Sequence, residues 1–354
     1  MSTSLALELQ TNWRDKGTRR REAIAACEAF EYDKLAGLLE THLQRQNPDG
    51  VAGRTLRTYR SALRHFVDFA KPSPDESPRF ALRHCDPDWV SEFLRDLKDS
   101  GLATPTRKVY LNGVRALFEA LLWADVVPNN PALRVKPPKD KRDLSTVRRM
   151  VSDRERRTLL EYLDRASRLS KAEHKQERLE ALHATVLVRL IYNAGLRVGS
   201  AVSVFASDLL EDEEGEDFLF VRKAKGKRQY KAVAPQPLQE AIFRWLPVRE
   251  KIAQPGAPLL VNVATTDPRF RGGPMSTDSA RRALKKAYER AGIPEAYEAA
   301  HAFRHAAVNR VLDITGDPYL AQNVAGHLSI RTTEEIYIKH RVGRLKPAVR
   351  ALED

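Results

Sequence analysis

The sequence predicts a mainly α-helical protein with a small β-sheet: a helical first domain followed by a mixed, mostly helical second domain. Three observations predict it. Apolar residues recur at spacings of three and four through most of the chain, the signature of amphipathic helices. A proline-rich, strongly basic stretch with no apolar rhythm interrupts that pattern near residue 140. Beyond it, two short alternating segments flank a glycine, as in a β-hairpin. With 354 residues, the chain has room for two domains that each bury a core.

Taken in order, residues 1–30 read as a basic N-terminal arm, helical in part, with Lys16, Arg19, Arg20 and Arg21 clustered within it. Residues 31–133 form the helical domain. Leu35, Leu38, Leu39 and Leu43 define its first helix, which ends at the breaker Asn47-Pro48-Asp49-Gly50. The next helix, about 55–70, carries Leu56, Tyr59, Leu63, Phe66 and Val67 on one side and Arg54, Arg57, Arg60 and Arg64 on the other. A third starts near Pro87 and closes at Gly101; a fourth follows Thr104-Pro105 and stops before Pro128.

Residues 134–150 read as the interdomain linker. Within 134–149 stand seven basic residues against two acids, together with a Pro-Pro pair. The second domain, 151–340, opens at Ser152, where Ser152 and Glu155 make a capping-box pattern. A highly charged segment, 165–180, reads as a solvated helix or loop. The apolar stretch from Leu182 to Val204 reads as the buried helix of this domain, interrupted at Gly195. Phe218–Arg222 and Tyr230–Ala234 are the two strands of the hairpin, and helices follow at about 237–246, 277–291, 301–314, 318–325 and 330–339. Residues 341–354 are a C-terminal segment.

Composition narrows the function. Hydrophobic residues at 42% and charged residues at 30% are ordinary for a globular chain and argue against disorder. A formal charge of +13 favours a polyanionic partner, nucleic acid before an anionic membrane, since no helix shows a bare apolar face and no lipidation motif is present. Cys27 and Cys85 alone imply no disulfide framework. The N-terminus lacks a signal-peptide layout, and no apolar run nears the ~20 residues needed to span a bilayer. The expectation is a cytoplasmic, nucleoid-associated protein.

Against that background, several residues stand out that are each ordinary alone. The arginines on the 55–70 helix are either a solvated face or phosphate contacts, and Lys136 and Lys139 of the linker pose the same choice. Arg197 follows Gly195-Leu196 in the middle of an apolar helix, where a guanidinium needs an anion or carboxylate partner. The hairpin has six basic residues and no acid between Arg222 and Lys231. His301 and Arg304 are three apart on one helix and so are neighbours, with His305 beside them. Gly326-His327 and Tyr337 complete the series.

In this order, Gly-Leu-Arg, a basic hairpin, His-x-x-Arg-His, Gly-His and a tyrosine resemble the tyrosine recombinase (phage integrase) family, Xer and integrase enzymes included. The resemblance spans nearly the whole chain: the helical domain resembles that family's core-binding domain and residues from about 150 onward its catalytic domain. It implies a site-specific recombinase that cleaves and rejoins duplex DNA without metal or cofactor. Arg197, Arg304 and His327 would line the scissile phosphate, and Tyr337 would attack it to give a 3′-phosphotyrosyl bond. His301 would act as general base or orienter for the phenol. Lys225 best matches the lysine that protonates the leaving 5′-oxygen, with Lys223 and Lys227 close by as alternatives or DNA contacts. The resemblance further implies a homotetramer on paired sites, with residues 341–354 docking on a neighbour and any partner recombinase or accessory protein left open.

Two departures from the family pattern bear on the site. Ser200 stands where an acid commonly follows the first arginine by three, and the His327-to-Tyr337 spacing is one residue longer than usual. These departures are what would favour a catalytically weak or inactive architectural DNA-binding protein of the same fold; action on any sequence, rather than on one paired site, would point instead to a type IB topoisomerase-like or transposase-like strand transferase.

Overall fold

A computed structural model describes residues 13–73, 75–139, 151–211, 213, 215–222, 229–293 and 299–325. The chain divides into two compact units, Met1–Lys141 and Arg142–Asp354.

The first unit contains α1 (Lys16–Glu28), α2 (Tyr32–Gln46), α3 (Gly53–Ala70), α4 (Pro87–Asp99) and α5 (Thr104–Trp123). Its core centres on Phe66 of α3. The Phe66 ring meets Phe93 and Phe118 edge-on, with centroids 5.1 and 5.9 Å away, the arrangement aromatic quadrupoles favour. Helices α3 and α5 approach so closely that a Cβ at Gly113 would lie 2.6 Å from that of Ala62. Only a residue without a side chain fits that crossing.

The N-terminal stretch differs from the expected arm. Trp13, Ala23, Ala26 and Cys27 are buried in the core of the first unit, and so is Arg19. Arg19 donates from Nη1 to the Trp13 carbonyl at 3.1 Å, and its guanidinium carbon lies 4.1 Å from the Trp123 ring centroid. The basic cluster is therefore split, one arginine serving as packing. The start of the linker is also tied down: Arg115 donates to the carbonyls of Ala132 and Val135 at 3.1 and 2.9 Å, and Val135 is buried.

In the second unit, α6 (Asp153–Ser167) begins with the expected capping box. The Ser152 hydroxyl accepts from the Glu155 amide at 3.1 Å, and the Glu155 carboxylate accepts from the Ser152 amide at 2.8 Å. The charged segment 165–180 does not stand apart from the buried helix. Lys175–Tyr192 is one helix, α7, whose charged half is held by ion pairs. Glu180 accepts from Lys286 and Arg290 of α10 at 2.9 and 3.0 Å.

After the short helix α8 (Val198–Ala201) come three antiparallel strands, β1 (Leu209–Glu211), β2 (Asp217–Val221) and β3 (Tyr230–Val233), in spatial order β1-β2-β3. The hairpin strands match expectation; β1 was not anticipated. Register pairs Leu209 with Leu219 and Val221 with Tyr230, so Leu219, Val221 and Ala232 share the buried face. Helices α9 (Gln236–Glu250), α10 (Thr277–Arg290), α11 (Ala299–Thr315) and α12 (Pro318–Ala325) follow, close to the expected ranges. The expected helix at 330–339 lies outside the described residues.

One core residue makes this unit sensitive to acid. His183 of α7 is 1% exposed and sits edge-on to Trp245, ring centroids 5.3 Å apart. Neither ring nitrogen makes a hydrogen bond of ordinary geometry, although the Val261 backbone is near enough to oppose part of the shift. Burial pulls the imidazole from 6.5 down to about 4. Between those two values the unfolded chain binds the proton and the folded chain does not, so stability falls as pH drops through that window. A gap of that size corresponds to about 3 kcal/mol. Thermal unfolding between pH 7 and 4.5 should therefore decline less steeply for His183→Phe than for wild type. Parallel curves would refute this assignment.

Candidate active site

The site is built on a helix that stops abruptly. Helix α7 ends at Tyr192, and Gly195 turns the chain with φ +63°, a conformation that costs residues with a Cβ. Leu196 then plunges into the core, fully buried, and its amide donates back to the Leu190 carbonyl at 3.0 Å. Arg197 is the next residue, half-buried in extended backbone at the N-cap of α8. Core packing on one side and a helix start on the other thus fix where Arg197 emerges.

Gly195 also serves a long-range contact. A Cβ there would fall 2.4 Å from the carbonyl oxygen of Val324 on α12. The turn carrying Arg197 and the helix that leads into Gly326-His327 are therefore packed backbone to backbone.

Arg304 reaches the same turn from α11. Its neighbour Phe303 is fully buried, 5.7 Å from the Tyr288 ring and 6.4 Å from that of Tyr192. This anchoring buries Arg304 to 4% exposure, and Nη1 donates to the Gly195 carbonyl. A buried guanidinium holding the carbonyl two residues before Arg197 ties both arginines to one turn. His301, one helical turn earlier, is exposed, and its ring lies 6.4 Å from that of His305.

Tyr230, at the start of β3, was read from sequence only as a strand residue. Its hydroxyl is buried and makes no hydrogen bond of ordinary geometry, yet the charges of Arg304 and Arg197 both act on it, and Arg304 stands within loose polar contact. Burial raises the phenol pKa against the pull of those two cations, so it remains a neutral dipole. Strand alternation was the available signal: Tyr230 and Ala232 share the inward face of β3.

Arg197, His301 and Arg304 are thus described, and Arg197 and Arg304 are brought together. Lys223, Lys225, Lys227, His327 and Tyr337 lie outside the described residues, as does the His327-to-Tyr337 spacing. In the first unit Arg54, Arg57, Arg60 and Arg64 are all exposed along α3. Arg60 is partly engaged by Glu40 at 3.3 Å, and the Arg64 guanidinium carbon lies 3.8 Å from the Tyr32 ring centroid. Lys136 and Lys139 are exposed as well.

Comparison with known proteins agrees with this architecture. Residues 156–344 match the model of the phage integrase family, and residues 40–125 match that of the phage integrase N-terminal SAM-like domain. The chain belongs to the phage integrase family, that of the tyrosine recombinases. It is 26% identical over 310 residues to tyrosine recombinase XerC of Thermodesulfovibrio yellowstonii, covering 85% of this chain and 91% of that one. To tyrosine recombinase XerD of Bradyrhizobium diazoefficiens it is 26% identical over 322 residues, covering 90% and 96%. Its fold is similar to that of the XerH site-specific recombinase in a post-cleavage complex with a palindromic difH substrate, with a TM-score of 0.67 at 18% identity over 90% of this chain and 85% of that one. It is also similar to a lambda integrase dimer bound to a COC′ core site, with a TM-score of 0.58 at 16% identity over 86% and 95% of the two chains.

Proposed function

We propose that this chain is a site-specific DNA recombinase that cleaves and rejoins strands through a 3′-phosphotyrosyl bond on Tyr337. The observation that carries the reading is the gathering of Arg197 and Arg304 at the Gly195 turn, beside the helix that leads to His327. Two guanidiniums held by backbone and core packing are pre-organised for the non-bridging oxygens of one phosphate, where charge grows in the transition state.

In the proposed reaction the Tyr337 phenol oxygen forms a bond to phosphorus as the bond to the 5′-oxygen breaks. The phenol proton passes to His301 or to solvent oriented by it, and Lys225 protonates the leaving oxygen. His327 donates to a non-bridging oxygen. A 5′-hydroxyl of a partner strand reverses the sequence and releases the tyrosine. The exposed arginines of α3, with Lys136, Lys139, Lys223 and Lys227, supply phosphate contacts along the duplex.

Assembly as a homotetramer on paired sites, with residues 341–354 docked on a neighbour, belongs to the same reading; lambda integrase, of similar fold, has been solved as a tetramer on a Holliday junction. So do the division into a helical DNA-binding domain up to residue 133 and a catalytic domain from 151, and action in the cytoplasm. No helix among the described residues is long and apolar enough to cross a membrane.

The test is covalent trapping. A duplex site selected by binding from randomised DNA is nicked just beyond the cleavage position, so that the cut end is lost and the intermediate persists. Peptide mapping of the adduct should place the DNA on Tyr337. Linkage to another residue, or no adduct on the selected site, would overturn the mechanism. Relaxation of supercoiled plasmid lacking that site would identify a topoisomerase-like strand transferase instead.

A further inference from the structure

Asp208 has no part in the chemistry just described, yet it is the most thoroughly buried acid near the site, at 0% exposure. It lies eleven residues after Arg197, in the single turn between α8 and β1. Burying a carboxylate is costly unless its oxygens find hydrogen-bond donors. Both do: Oδ2 accepts from the Phe205 amide at 2.9 Å, and Oδ1 accepts from Arg222 Nε at 2.5 Å.

Arg222 is the residue at which β2 gives way to the basic hairpin. Its side chain is half exposed and meets Asp208 through Nε. The ion pair therefore reaches from the segment that carries Arg197 to the point where the hairpin leaves the sheet. Backbone pairing fixes the same junction. Leu209, the residue after Asp208, opposes Leu219, and Val221 opposes Tyr230, whose hydroxyl lies among the arginine charges. Ser200, the buried residue closer to Arg197, cannot supply a carboxylate; Asp208 can.

We infer that Asp208 and Arg222 are a positioning pair that sets where the hairpin departs relative to the Arg197 turn, and so aligns the hairpin's proton donor with the leaving 5′-oxygen. The inference rests on the recombinase reading above. Neither residue is assigned contact with DNA at the reacting atoms; the pair acts through the strand it holds.

The experiment compares two nicked suicide duplexes carrying the selected site. One has the ordinary scissile phosphodiester, and the other has sulfur in place of the bridging 5′-oxygen. Thiolate departs without a proton, so the second substrate needs no donor. A general acid is worth about 10²–10⁴-fold, and a misaligned one should forfeit about 10–100-fold of that. Arg222→Gln should lose that factor in adduct formation on the oxygen substrate. On the sulfur substrate, and in DNA binding, it should stay within about 3-fold of wild type. Asp208→Asn should show the same split; if it fails to fold, the half-exposed Arg222 variant decides alone. Equal slowing on both substrates, or none on either, would overturn the positioning role while leaving the recombinase reading intact. A wild type inert on both substrates would overturn the recombinase reading, and this inference with it.

Discussion

Arg304→Ala should bind its DNA site nearly as tightly as wild type and form the covalent adduct about 10³-fold more slowly, a barrier increase of about 4 kcal/mol. Binding should survive because affinity for duplex DNA is shared among many phosphate contacts, several of them proposed for the exposed arginines of α3. Cleavage should not, because Arg304 is buried and held against the Gly195 carbonyl, and its proposed role is to bind the one scissile phosphate. Arg304→Lys retains the charge but loses the planar fork, and should fall between the two. Gel-shift affinity and single-turnover trapping on the same duplex measure both quantities. If affinity falls by the same factor as the rate, Arg304 is a binding residue and the mechanism has misplaced it.

What could be read in the sequence was local. The i, i+3 placement of His301 and Arg304 is helix geometry, and the glycine before Leu196-Arg197 announces a break in an apolar helix; both are where they were expected. The capping box at Ser152 likewise needs only four consecutive residues. Features whose cause lies elsewhere in the chain were not legible. Helix α1 buries alanines and a cysteine instead of large aliphatics, and its Arg19 finds Trp123 far along the chain, so it looked like a basic arm. Strand β1 is three residues long and exists because β2 pairs with it. The charged half of α7 belongs to a buried helix because Glu180 meets Lys286 and Arg290, more than a hundred residues on. Tyr230 and Asp208 gain significance only once their partners are known. The spacing that carries His327 to Tyr337 lies outside the described residues and is left to the trapping experiment.

Gly195→Ala should be strongly damaging although it adds a single methyl group. Two penalties add. The backbone at φ +63° costs an L-residue about 1–2 kcal/mol, and a Cβ 2.4 Å from the Val324 carbonyl forces the turn and α12 apart, an overpacking cost of about 1–3 kcal/mol. The combined loss, about 2–5 kcal/mol, corresponds to a fall in melting temperature of roughly 5–15 °C for a unit of this size. Gly199→Ala is the control. Its φ is not positive, a Cβ there meets only a Thr277 methyl at 3.9 Å, and stability should be unchanged or rise by about 0.5–1 kcal/mol. The consequence for activity is separate from folding. Arg304 holds the Gly195 carbonyl, Arg197 follows two residues later, and Val324 precedes His327 by three in the sequence, so a displaced turn should disturb the residues proposed to bind the phosphate. Adduct formation by Gly195→Ala should therefore drop by at least about 10²-fold even well below its melting temperature, because a misplacement of about 1 Å is enough for a loss of that size. A Gly195→Ala protein that melts with wild type and cleaves at its rate would show that the close approach of this turn to α12 is not what assembles the site.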